Sequence, residues 1–205
     1  MKKIISLAVI VVIGFGSVAP AFAASTSTAP ITTSATVLSA LTLNVTLRKN
    51  SSTGAVITAM DFGTLNNSLA TGTLRSTTTG STGTGNATAM ISANSQSLPY
   101  TITQSGTVLS NGSTTLPNGA LTVVPVYASA DNGGASLPAG AVLGTAGTWI
   151  GSRTLYTSEA GPAAIRTIQA VYSVTDDPAA GSTAGVPLNQ APGTYTGTVT
   201  ITVTA

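Results

Sequence analysis

The stretch Tyr195-Thr196-Gly197-Thr198-Val199-Thr200-Ile201-Thr202-Val203-Thr204-Ala205 decides the fold class. Tyr195, Gly197, Val199, Ile201, Val203 and Ala205 share one parity, and threonine holds every position of the other. A period of two puts the apolar set on one face of a pleated strand and the β-branched hydroxyl residues on the opposite face. Pro192-Gly193, just upstream, supplies a turn. Near the other end, Ala35, Val37, Leu41, Leu43, Val45 and Leu47 share one parity, with Thr36, Thr42, Asn44 and Thr46 on the other. This is a second long alternating segment, either one strand or two broken near Ser39.

Shorter apolar clusters lie between these ends, at residues 55–62, 87–92, 98–103, 121–127, 149–156 and 165–174. Turn residues bound them, as in Asn111-Gly112, Pro117-Asn118-Gly119 and Asp176-Asp177-Pro178. Short β-branched runs between turn signals predict an all-β chain folded as an antiparallel, Ig-like β-sandwich. No amphipathic helical pattern competes with that reading. The Ser/Thr/Gly run at 76–85 and the Gly-rich stretch at 129–147 read as loops. A closed outer-membrane barrel would need many strands of about 9–11 residues and aromatic girdles. One Trp, five Tyr and three Phe do not supply the girdles.

The N-terminus carries an export signal. Lys2 and Lys3 precede an apolar run at 4–15, and Ala21-Phe22-Ala23 offers the small-x-small pattern of a cleavage site. The run is short of the roughly 20 residues that a spanning helix takes. Residues 1–23 are therefore expected to be removed. The mature chain is expected to make no stable membrane insertion, to pass through the periplasm, and to end at the cell surface or in an extracellular fibre.

Loss of Lys2 and Lys3 leaves Arg48, Lys49, Arg75, Arg153 and Arg166 against Asp61, Asp131, Glu159, Asp176 and Asp177, a balance near zero. Scattered cations in such a balance make no basic face for phosphates, so nucleic acid is not expected as a partner. Low net charge also does little to keep copies apart. At 42% apolar residues the chain can build a core, so a disordered stalk is not expected.

Cysteine and histidine are both absent. That removes disulfides, the Ser-His-Asp triad, the Cys nucleophile and ordinary zinc or copper sites. No enzymatic activity and no cofactor are expected. Asp61 and Glu159 are two carboxylates of the kind a glycosidase pair uses, but nothing in the sequence brings them together. Asp131, Glu159, Asp176 and Asp177 are oxygen donors for a hard cation, but no ligand-spaced loop holds them, and a solvated turn explains Asp176-Asp177-Pro178. Trp149 reads either as a core residue or as a stacking platform for a sugar. The sequons at Asn44, Asn50, Asn66, Asn86 and Asn111 are expected by chance in so Thr-rich a chain.

Two motifs carry a resemblance: Met60-Asp61-Phe62-Gly63-Thr64-Leu65, and Ala191-Pro192-Gly193-Thr194-Tyr195 leading into the closing strand. In this order and at this separation they resemble the spore coat protein U-like domain used by archaic chaperone-usher pilins, here in a cysteine-free version. The resemblance implies an incomplete sandwich whose groove takes the N-terminal extension of the next subunit as a donated strand. It also implies a periplasmic chaperone and an outer-membrane usher as partners, besides further copies of the chain. Strand addition needs a free, extended segment with one apolar face. Residues 24–38 would be that extension, with Ile31, Ala35 and Val37 as inward-facing donor residues, and 39–205 the sandwich domain. Tyr195, Gly197, Val199, Ile201 and Val203 would border the groove. Asp61, Phe62 and Gly63 would form a turn in which Asp61 caps backbone N–H groups and Phe62 anchors in the core. The alternative is a self-complete sandwich, with residues 24–38 as its own first strand, that binds a glycan or a surface protein.

Overall fold

Alternation in the sequence becomes strand in the computed structural model, which describes residues 41–68, 73–76, 86–95, 98–161 and 163–205. The expected export signal, the expected extension at 24–38 with Ile31, Ala35 and Val37, and nearly all of the 76–85 run lie outside the described residues. The strands in chain order are β1 (Thr42–Lys49), β2 (Val56–Ile57), β3 (Leu65–Ser68), β4 (Thr73–Ser76), β5 (Asn86–Asn94) and β6 (Thr101–Gly106). They continue as β7 (Leu121–Val126), β8 (Val142–Leu143), β9 (Gly147–Thr148), β10 (Gly151–Thr157), β11 (Arg166–Val174), β12 (Val186–Pro187) and β13 (Val199–Thr204). Among the described residues there is no α-helix, only short 3₁₀ turns.

The first sheet has the order β2-β1-β5-β11-β7-β9 and the second β13-β6-β10-β8; a small third sheet runs β12-β4-β3. Every pairing between these strands is antiparallel. The fold is thus the all-β antiparallel sandwich that the alternation predicts. Register does the sorting of faces. Ile168 sits opposite Ile91, Ala170 opposite Ala89, and Tyr172 opposite Ala87, all buried. Ile102, Leu155 and Tyr156 from the second sheet join the same core.

Trp149 closes the centre of this core. It is 1% exposed, with Phe62 at 5.2 Å and Tyr172 at 5.3 Å between ring centroids. The buried Gln104 amide donates to the Trp149 carbonyl at 2.7 Å and accepts from the Tyr172 hydroxyl at 3.2 Å. A buried amide in an apolar core is tolerable because both its ends are satisfied. Burial of Trp149 leaves no face for a sugar, so of its two readings the core one is correct.

Two expected strands differ in extent. The closing segment is regular only from Val199; Thr196 makes an isolated bridge to Ser110, while Tyr195 and Gly197 stand outside any strand. Gly197 passes so close to the 107–109 loop that a Cβ there would meet Val108 O at 3.0 Å. The 55–62 cluster forms just a two-residue bridge, because β2 pairs with β1 solely through Leu47 and Arg48 before the chain turns inward.

A second cluster of aromatic residues sits around Glu159. Tyr156 donates to one Glu159 oxygen at 3.3 Å, and Arg166 reaches the other at 3.4 Å. The Tyr100 and Tyr156 rings lie 5.8 Å apart. Burial, with Glu159 adding to it, pushes the Tyr100 hydroxyl up to about 12; burial also pushes Tyr156 and Tyr172 upward. In the unfolded chain these groups release protons near pH 10. Above that pH the native state binds more protons than the unfolded one, so stability falls as pH rises. The urea midpoint is expected to hold up to about pH 9 and to drop steadily by about pH 11. An unchanged midpoint across that window would contradict the burial of these tyrosines.

Candidate functional site

Among the described residues, one side of the sandwich is open. β1, with the short β2 beyond its far end, borders the first sheet, and β13 ends the second. Among the described residues, no strand pairs with the outer edge of β13 or with the Thr42–Thr46 part of the β1 edge. The side chains lining this gap belong to the core-facing parity. Leu43, Val45 and Leu47 stand opposite Ala93, Ile91 and Ala89 of β5, which are all buried. Yet Leu43 is 36% and Val45 39% exposed. Across from them, Val199, Ile201 and Val203 are half-buried, while Thr200, Thr202 and Thr204 point to solvent.

Core-facing residues of a closed sandwich do not normally face water. Here they do so because, among the described residues, the two walls meet no third element and the floor is low. β5 offers Ala87, Ala89 and Ala93 around the single large Ile91, and these small side chains leave space beneath the gap. Val45, Leu47, Met60, Ala89, Val199 and Ile201 line a cavity of about 210 Å³ there. It continues into a larger one of about 860 Å³ over Phe62, Leu109, Leu116 and Trp149. Leu47, Met60 and Val199 line both, so the two form one groove.

The sequence-predicted residues fall on this groove. Val199 and Ile201 line it, and Tyr195 and Gly197 border its wide end. Val203 continues the same face of β13. Asp61, Phe62 and Gly63 form part of the wide end's wall. Gly63 takes φ 64°, and its N–H donates to Asp61 Oδ1 at 2.8 Å, the local capping expected of an Asp turn. Phe62 is buried against Trp149. The Tyr195 hydroxyl is held by Thr114 at 2.8 Å and Gln190 at 2.7 Å, and donates to the Ala191 carbonyl at 2.7 Å. This network pins the strap at 190–198 across the wide end.

Sequence reading missed Met60, Leu109 and Leu116. None lies in a long alternating run, so periodicity gave no signal for them. The Ala-x-Ala parity of residues 87–93 was available as a sign of a shallow floor.

The acidic residues serve local structure. Asp177 accepts from Ala179 N at 2.9 Å and caps a 3₁₀ turn. Asp176 accepts from the Thr73 hydroxyl, and Asp131 from the Gln169 amide. Asp61 is engaged with its own turn, and Glu159 with Tyr156 and Arg166. Among the described residues, no group of three or more acidic side chains gathers where it would hold a metal ion. None of the described helices is long and apolar enough to cross a membrane. Comparison with protein-family models, curated proteins and solved structures finds no match to this chain.

Proposed function

We propose that the chain is a structural subunit of a cell-surface fibre, polymerising when residues 24–38 of one copy enter the groove of the next. The observation that carries this reading is the exposure of Leu43 and Val45 on the core-facing parity of β1, opposite a β13 edge with which no described strand pairs. A strand laid in that gap satisfies the backbone groups of β13 and covers both walls with alternate side chains. Ile31, Ala35 and Val37 have the required parity. Each well-covered aliphatic side chain contributes about 1.5–3 kcal/mol, and each edge hydrogen bond about 0.5–1.5 kcal/mol.

On this reading the sandwich is Ig-like and incomplete, and the chain is a cysteine-free relative of spore coat U-like pilins. An export signal delivers it to the periplasm. There a chaperone covers the groove, and an outer-membrane usher passes the subunit to the surface. The groove binds a peptide strand, so no catalytic residue and no cofactor are assigned.

The test compares mature protein (24–205) with a truncation beginning at Ser39, each with and without a peptide copying residues 24–38. Full-length protein is expected to give detergent-resistant ladders on an unheated gel. The truncation is expected to unfold early until the peptide raises its urea midpoint. A full-length protein that stays monomeric, with a truncation indifferent to the peptide, would leave the self-complete binding module as the better reading.

A further inference from the structure

The tyrosine cluster around Glu159 takes no part in the groove. Tyr156, near the end of β10, pairs with Ile102 of β6. One step further along, the Ser158 N–H donates to the Tyr100 carbonyl at 2.9 Å, and the Tyr100 N–H donates to the Ser158 hydroxyl at 2.8 Å. Register thus sets Tyr100 and Tyr156 diagonally across the two strands. Both are buried, at 2% and 0% exposure. Their ring centroids lie 5.8 Å apart with the planes inclined at 49°, inside the range of about 4.5–7 Å in which aromatic rings touch.

Where the phenolic protons can go separates this pair from the other tyrosines. Tyr156 donates to Glu159 Oε2 at 3.3 Å, while Arg166 holds the other oxygen at 3.4 Å. The Glu159 side chain is 16% exposed, so its carboxylate also meets water. Tyr100 donates to the Ala164 carbonyl at 3.4 Å; after burial, the Glu159 charge is the largest influence on its hydroxyl. By contrast, Tyr172 donates to the Gln104 amide, and Tyr195 is held by Thr114, Gln190 and the Ala191 carbonyl. Those partners are neutral and take up no proton. The Tyr127 hydroxyl is buried and has no partner. A phenol gives up an electron far more readily when a positioned base takes its proton in the same step. Among the described residues, Tyr156 is the one tyrosine that donates to a carboxylate, and Tyr100 is the ring beside it. We infer that Tyr100 and Tyr156 form a site of oxidative cross-linking, where a small one-electron-oxidising radical such as the carbonate radical anion joins their rings into a dityrosine.

Two equivalents of the radical are used, and each takes one electron. Glu159 takes the Tyr156 proton and passes it to water, and the Tyr100 proton leaves by the same outlet. The two phenoxyl radicals then pair their electrons in one carbon–carbon bond between ortho carbons. Each ortho hydrogen shifts to its own oxygen and restores the phenol. Two phenols and two carbonate radicals give one dityrosine and two bicarbonate ions. The chain has no cysteine and hence no disulfide. This link ties the start of β6 to the end of β10 and closes the chain from 100 to 156, which removes freedom from the unfolded state.

The experiment exposes folded protein 24–205 to carbonate radicals made by radiolysis in bicarbonate, then maps tryptic peptides by mass. Cleavage after Arg75, Arg153 and Arg166 leaves Tyr100 and Tyr127 on one fragment and Tyr156 on the next. The expected product joins fragments 76–153 and 154–166 with loss of two hydrogens, shows dityrosine fluorescence, and keeps the mass of a single chain on a boiled gel. Its urea midpoint should exceed that of unreacted protein. Tyr100→Phe is expected to remove the joined pair, Tyr127→Phe to retain it, and Glu159→Gln to lower its yield severalfold; urea midpoints establish that each variant folds. No joined pair from folded wild type, a pair that survives Tyr100→Phe, or the same mixture of links from folded and urea-unfolded chains overturns the inference. Undiminished yield from Glu159→Gln overturns it as well. The link lies within one chain, so its presence or absence is read independently of any ladders.

Discussion

Protein 24–205 carrying Ile201→Asp is expected to lack the detergent-resistant ladders that the proposed strand donation predicts for wild type, and to run as a monomer while keeping the sheet content of wild type. Ile201 faces the groove from β13, half-buried, and lines its narrow part with Val45 and Leu47. In the empty groove an aspartate there stays hydrated, so the sandwich itself loses little. Once a strand covers the groove, the same carboxylate is buried without a partner, which costs about 3–5 kcal/mol. That corresponds to roughly two to three and a half orders of magnitude in association constant. Thr202→Asp, one position along on the solvent face, is the control and should leave the ladders intact. Size-exclusion chromatography and unheated gels read both. Equal loss with either variant would mean that β13 acts by strand formation alone and not by its groove face.

The second large effect is expected at Trp149. Replacement by alanine removes the ring that Phe62 and Tyr172 pack against at 5.2 and 5.3 Å. Removal of a buried Trp side chain typically costs about 3–5 kcal/mol, a large part of the 5–15 kcal/mol that holds an ordinary domain together. The urea midpoint should be compared in the monomeric Ile201→Asp background, so that polymerisation does not enter the reading. Trp149→Phe should lose much less. Because Trp149 also lines the wide end of the groove, its loss should enlarge the cavity and weaken binding of the 24–38 peptide. A small stability effect would contradict the packing of Trp149 against Phe62 and Tyr172 as a main support of the core.

Much of the fold was legible because β-strand alternation has a period that sequence displays directly. Val199, Ile201 and Val203 separate cleanly from Thr200, Thr202 and Thr204, and the same holds for Leu43, Val45 and Leu47 against Thr42, Asn44 and Thr46. Strands β8, β9 and β12 were not legible. Each is a two-residue contact fixed by the strand it lies against, such as Val186-Pro187 on β4, with no pattern of its own.

The groove was half legible. Parity told which face of β1 and of β13 is apolar, but whether those faces are covered depends on sheet order, which parity does not carry. The sheet order follows from non-local pairing: β1 with β5, and β13 with β6. Those pairings leave both strands at borders of the same gap. The wide end was the least legible part, since Leu109, Leu116 and Met60 come from irregular segments that tertiary contacts alone bring together.

The most direct test of strand exchange mixes two defective copies. On the proposed reading, Ile31→Asp spoils the donor segment and leaves the groove whole; Ile201→Asp spoils the groove and leaves the donor whole. Each alone is expected to remain monomeric. Mixed, the intact donor of the second can enter the intact groove of the first, and the chain must stop there. The account predicts a detergent-resistant heterodimer and nothing larger, by mass measurement of an unheated mixture. Ladders from either variant alone, or a mixture that stays monomeric while wild type polymerises, would contradict it.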